Sequence, residues 1–331
     1  MTDPTLVLVC TLVALVGVPG ILLHTGGRWR ELWPDLAALT ALWALVGLAT
    51  ALTGVFIPGF AMLVAAIGIV MGAGVSAALA ERVERRNIRM LLLTGFSLLV
   101  FLPLAFVVFG GNGTWLYDDF GALDFAGAVP LAIGTGSLTM VLAILGGQRR
   151  DTERVLAVRG ALLFAIAAVG AAVGFELRVD ELTPAIALNM LMTPAIAMLA
   201  AAGIERVKRG RNTREGLAAG IVAGAAAALA ACAYLETATA LMLGLLVGAV
   251  AEVAHRGASA AWRLATPLLI GGATGLLYLG LFGLGPGFVY SGQPLLLLQQ
   301  VILVGAAIGW SWLISALLLL PLRVRRSRRP A

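Results

Sequence analysis

The chain has 331 residues, 60% of them apolar and 12% charged, with a mean hydropathy of +0.99, which excludes a soluble globular protein. Lys and Arg outnumber Asp and Glu by 23 to 17 and leave a net charge of +6. Yet the arginines stand in short clusters between apolar runs, a pattern that sets membrane topology and offers no basic domain or aromatic-interleaved stripe to a nucleic acid.

Met1-Thr2-Asp3-Pro4 lacks the basic start of a cleaved signal peptide, so the first apolar run is expected to be a retained helix. Apolar runs long enough to cross a bilayer fall at about 5–26, 34–57, 59–80, 88–110, 123–146, 155–176, 182–204, 215–234, 236–254, 262–284 and 294–322. Eleven crossings are therefore expected, with no soluble domain between them. Pairs of glycines four residues apart (Gly170/Gly174, Gly220/Gly224, Gly244/Gly248, Gly271/Gly275) predict close helix–helix approach. Cys10 and Cys232 lie inside apolar runs and read as small buried hydrophobes, with no disulfide framework or thiol metal site.

With eleven crossings the basic residues segregate. Arg28, Arg30, Arg82, Arg85, Arg86, Arg89, Arg149, Arg150, Arg154, Arg159, Arg206, Lys208, Arg209, Arg211, Arg214, Arg256, Arg263 and the tail arginines 323, 325, 326, 328 and 329 share one side. Only Arg178 falls opposite. The positive-inside rule then places the N-terminus outside and the C-terminus in the cytoplasm of a cell whose plasma membrane holds the protein. The basic tail, 323–331, is expected to meet anionic lipid headgroups.

Polar residues within the runs are few. Asn189, Gln299 and Gln300 read as interhelical hydrogen-bonding groups rather than solute ligands. His24 ends the first run and reads as a partly solvated helix-end histidine; His255 falls in a loop. Asp124 opens the fifth run, where capping of backbone N–H groups outweighs a direct substrate role.

Several local patterns, in order along about 300 residues, resemble the Amt/Mep/Rh ammonium transporter family. They are Pro19-Gly20-Ile21-Leu22-Leu23-His24-Thr25-Gly26-Gly27, Ser76-Ala77-Ala78-Leu79-Ala80-Glu81-Arg82, and Phe101-Leu102-Pro103 with Phe109-Gly110-Gly111. Leu123-Asp124-Phe125-Ala126-Gly127 is the most specific, followed by Asn189 and by Trp310-Ser311-Trp312 with Leu322-Arg323-Val324. The resemblance implies an all-α polytopic membrane protein of eleven transmembrane helices. Two inverted five-helix repeats (about 5–146 and 155–284) and a final helix at about 294–322 would form a single domain, assembled as a homotrimer.

It also implies a pore whose usual chemistry is replaced here. The two facing pore histidines correspond to Ala132 and Leu268, the stacked gate phenylalanines to Ile67 and Ala171. The recruitment-site tryptophan and serine correspond to Phe109 and Phe175, and Asp124 resembles the aspartate that orders that region. Phe109 could offer a cation–π face or serve as an interfacial anchor, and Phe175 is expected to fill the recruitment pocket. No Asp, Glu, His, Lys or Arg stands near the middle of any run, so a proton relay or coupled-ion site has no residues to use.

The expected activity is passive conduction of NH3 or another small neutral molecule through an apolar pore, without a cofactor. A non-conducting relative acting as a membrane sensor or interaction protein is the alternative. An enzyme has little support, because nothing at membrane depth forms a nucleophile–base set, metal cluster or phosphate loop. The tail lacks the longer acidic continuation typical of the family's regulatory tail, which speaks against control by a PII-type signalling protein.

Overall fold

The computed structural model describes residues 2–113, 115–145, 156–254 and 259–327. Ten of its helices are long and apolar enough to cross a membrane, and Val129–Ile144 is a shorter eleventh. In chain order they are α1 (Pro4–Thr25), α2 (Trp29–Leu52), α3 (Pro58–Ala80), α4 (Arg86–Phe109), α5 (Val129–Ile144), α6 (Ala157–Phe175), α7 (Thr183–Arg209), α8 (Arg214–Ala231), α9 (Thr237–Ala254), α10 (Ala260–Phe282) and α11 (Leu295–Ser327). The expectations placed on Arg149, Arg150, Arg154, His255, Arg256, Arg328 and Arg329 fall outside the described residues.

Helix starts follow local chemistry. Asp3 accepts hydrogen bonds from the N–H groups of Thr5 and Leu6 ahead of Pro4, a residue suited to a first turn because it has no N–H to leave unpaired. Thr213 and Ser259 cap α8 and α10 in the same way. Gly26 and Gly210 end α1 and α7 in the left-handed conformation.

Small residues set the packing. A Cβ on Gly220 or Gly224 of α8 would press on Ala197 O or Pro194 Cα, and one on Gly244 or Gly248 of α9 on Thr193 O or Ala197 O. Both glycine pairs thus clamp the same stretch of α7, with backbone nearly touching backbone. Gly271 and Gly275 of α10 approach the carbonyls of Ala223 and Ala227 of α8 likewise. Asn189 adds a polar tie, donating to the carbonyls of Cys232 and Leu235 at 2.9 Å each. Gln300 Nε2 donates to Leu123 O at 2.8 Å and Trp310 Nε1 to Leu99 O, docking α11 on the first half of the chain.

The arginine-rich end of the bundle holds buried charges. Asp35, fully buried, accepts from Arg89 Nε at 2.8 Å, from Arg89 Nη2 at 3.3 Å and from Ser76 Oγ at 2.9 Å, joining α2, α3 and α4. Glu205 accepts from Arg209 at 2.8 Å and from both N–H and Oγ1 of Thr213, tying the end of α7 to the start of α8. Removing Arg89 from the buried pair with Asp35 costs about 3–5 kcal/mol, because the carboxylate charge is left uncompensated.

Two expectations are corrected. The fifth crossing begins as helix at Val129, not near 123. Residues 121–127 ahead of it are irregular, and two of their N–H groups find carbonyls in another helix: Phe125 N–H donates to Ala230 O at 3.2 Å and Ala126 N–H to Leu229 O at 2.9 Å. A helix of about 24 Å is shorter than the hydrocarbon layer, and such irregular backbone is tolerated at depth because the protein satisfies it. His24 is not partly solvated but buried, 2% exposed, with Nε2 3.1 Å from Arg263 O and Nδ1 3.4 Å from Ala157 O. The end of α1 is enclosed by α6 and α10, which leave the ring almost wholly buried.

Candidate functional site

At the end of the bundle opposite the arginines, a cavity of about 210 Å³ opens between α3, α4, the segment before α5, α6 and the turn after α8. Phe109, the last residue of α4, and Phe175, the last of α6, form its floor. Their rings stack in parallel, 1° apart in plane, with centroids at 4.3 Å. Phe60 of α3 tilts against both, at 5.5 and 5.7 Å. Phe125 and Tyr234 meet at 87° with centroids 6.1 Å apart, and Tyr117 stands at the mouth. Burial pushes the Tyr234 phenol up to about 12, so it remains a neutral hydroxyl across the physiological range.

Asp124 lies in the wall of this cavity, 7% exposed. Its Oδ1 accepts from Ala128 N–H at 2.8 Å and its Oδ2 from Val129 N–H at 2.7 Å, so the carboxylate caps the first turn of α5. Gly127, between them, has a φ of +78°, and a Cβ there would approach Phe109 Cζ to 2.8 Å. The turn that aims Asp124 at the helix therefore needs a glycine both for its backbone and for the ring beside it.

Below the floor the core is aliphatic and packed. A Cβ on Gly17 of α1 would sit 2.8 Å from Val70 Cγ1 and 3.1 Å from Ala167 Cβ, so α1, α3 and α6 converge at that depth. One turn nearer the cavity the same faces of α3 and α6 carry Ile67 and Ala171, both buried. Ala132 of α5 and Leu268 of α10 are fully buried. A Cβ on Gly272 of α10 would lie 2.8 Å from Ala132 Cβ, and one on Gly136 of α5 would lie 2.7 Å from Leu269 N. The two helices pack closely at that depth, with no room for a larger side chain between them. Deeper still, Ile21, Gly74 and Leu264 meet, above His24.

The structure thus gathers Phe109, Phe175 and Asp124 around one cavity, and strings Ile67, Ala171, Ala132 and Leu268 along the buried core beneath it. Phe60, Tyr117, Phe125 and Tyr234 also line the cavity; Phe125 falls within the Leu123–Gly127 motif, and the sequence marks the other three only as aromatics near helix ends. Among the described residues no group of three or more His, Cys, Asp or Glu side chains could hold a metal ion.

Among the described residues, ten apolar helices long enough to span a membrane and a shorter eleventh, packed around an aliphatic core with an aromatic cavity at one end, define a polytopic all-helical membrane protein. The chain belongs to the Ammonium Transporter Family, whose family model matches residues 7–325. It is 30% identical over 251 residues to an ammonium transporter of Aquifex aeolicus, covering 69% of this chain and 57% of that one. It is 27% identical over 255 residues to an ammonium transporter of Mycobacterium tuberculosis, covering 68% and 54%. The matched region thus spans little more than half the length of these curated relatives. Among solved structures, the delta442 mutant of Mep2 from Candida albicans superposes with a TM-score of 0.83 at 19% identity, covering 97% of this chain and 92% of that one. A structure named Sensor Amt Protein does so with a TM-score of 0.81 at 19% identity, covering 99% and 94%. At those identities the structural likeness establishes the shared fold.

Proposed function

We propose that this membrane protein passes NH3, or another small neutral molecule, without net movement of charge. One observation carries the reading: the buried route at Ile67, Ala171, Ala132 and Leu268 offers only aliphatic side chains. An ammonium ion there would lose its hydration for nothing, at a cost of at least about 2.5–3.5 kcal/mol on the most lenient membrane scales, whereas a neutral solute avoids that term. Phe109, Asp124 and Phe175 form the entrance, Phe109 and Phe175 as rings that must part, and Asp124 as the cap that fixes the lip. Ile67 and Ala171 take the gate positions. In this reading the cavity faces the outside of the cell, the arginine-rich end faces the cytoplasm, and the protein sits in lipid as a homotrimer of identical routes.

The test pairs two measurements on proteoliposomes. Stopped-flow ammonia uptake should exceed that of protein-free vesicles, while an ammonium pulse on a supported membrane should give no steady transport current. A sustained ammonium current would overturn the electroneutral reading. Uptake no faster than in protein-free vesicles would favour the second reading, a non-conducting sensor or interaction protein. The specific observation behind that alternative is the closed Phe109–Phe175 stack.

A further inference from the structure

A second cavity, of about 210 Å³, opens at the arginine-rich end between the last turn of α5 and the later turns of α11. Ile144 and Leu145 line one side; Trp312, Ala316, Leu319 and Leu320 line the other. Leu319 is 1% exposed and closes the back, while Ile144 and Leu320, more than half exposed, stand on the rims. The lining is apolar except for the Trp312 indole N–H, a mixture suited to the border of the hydrocarbon layer. Water finds few partners in such a groove, whereas an acyl chain meets carbon on every side.

The charge beyond the groove selects a headgroup. α11 continues as helix to Ser327, so Trp312, Ala316, Leu319, Arg323 and Arg326 follow one another at the alternating four- and three-residue spacing of a single helix face. From Pro321 to Ala331 the sequence has five arginines and no acidic residue. α4 runs antiparallel to α11, with Gly95 against Leu318 and Leu99 O accepting from the Trp310 indole. It brings the exposed Arg85 and Arg86 to the same end, against one exposed acid beside them, Glu84. Basic residues at the end of an apolar inter-helix groove are the chemistry that holds anionic lipid.

We propose that the α5–α11 groove binds one anionic phospholipid, its acyl chain along Ile144, Ala316 and Leu319 and its phosphate at the arginines that continue the same face of α11. The lipid splints the end of the short α5 to α11, a joint that side chains alone leave open. The site lies at the opposite end of the bundle from the aromatic cavity and needs nothing from the conduction reading.

Native mass spectrometry of the purified full chain, titrated with phosphatidylglycerol or phosphatidylcholine of identical acyl chains, tests the site. Phosphatidylglycerol should saturate a first site at one per chain, about tenfold tighter than phosphatidylcholine, the advantage that one or two nearby arginines confer. Arg323→Gln combined with Arg326→Gln should erase that preference and leave the phosphatidylcholine affinity unchanged. Ala316→Trp, at an exposed small residue, should fill the groove, weaken both lipids by about tenfold or more and keep the unfolding midpoint. Equal affinity for the two lipids, or a preference that survives the double arginine substitution, would overturn the proposal. Wild-type lipid binding in Ala316→Trp would do so as well, by showing that the basic tail attracts lipid without the groove. A smaller oligomer of Ala316→Trp in the same spectra would place a second copy of the chain in the groove instead.

Discussion

The two ends of the bundle solve the problem of polar groups in an apolar protein by opposite means. At the arginine-rich end, Asp35 and Glu205 are buried, and each is met by several donors: Arg89 and Ser76 for the first, Arg209 and Thr213 for the second. At the other end, Asp124 is met by two backbone N–H groups, and around it aromatic rings enclose open space. The first end is closed and held by charge; the second leaves room for something to enter. An open aromatic cavity at one end thus stands against a closed clasp of charge at the other.

The largest effect should come from breaking the clasp. Arg89→Ala strands the buried Asp35 carboxylate and should lower stability by about 3–5 kcal/mol, read as a lower unfolding midpoint in detergent. Phe175→Ser removes one ring of the floor, which is buried below and open to the cavity above. It should cost about 3 kcal/mol or less and speed stopped-flow ammonia uptake; unchanged uptake with intact fold would show that the stack does not limit entry. Ala132→His puts a ring where α5 and α10 already touch and should destabilise by about 1–3 kcal/mol without producing an ammonium current. A current from that single change would show that the packed layer yields more easily than its contacts imply. The smallest effect belongs to Tyr117→Ala, within about 0.5 kcal/mol by thermal unfolding because the ring is largely exposed. A large loss there would erase the distinction between a spacious end and a structural one.

Much of this architecture is legible from residues alone. Hydropathy marks each crossing because a span needs about twenty apolar residues, and ten spans plus the shorter α5 appear where the runs stand. The start of α5 is not legible, because Ala122 to Gly127 is as apolar as a helix and its hydrogen-bond partners, Leu229 and Ala230, lie a hundred residues away in sequence. The Asp35–Arg89 pair is hidden for the same reason, its members 54 residues apart at the starts of different helices. His24 reads as a helix-end residue because sequence places it beside Gly26-Gly27; only packing shows α6 and α10 folded over it. Of the cavity, Phe109, Asp124 and Phe175 are reached through family resemblance. Phe60 and Tyr234 carry no signal beyond being aromatic near a helix end, which in a membrane protein is the commonest place to find an aromatic.

The hydrogen bonds from Phe125 and Ala126 to the last turn of α8 are made by main chain on both sides. A seam of that kind does not read side chains, short of a proline at either donor. The two halves of the molecule can therefore stay in register while buried side chains between them are exchanged one after another. Exchange of interior side chains need not loosen the joint that holds the wall of the cavity.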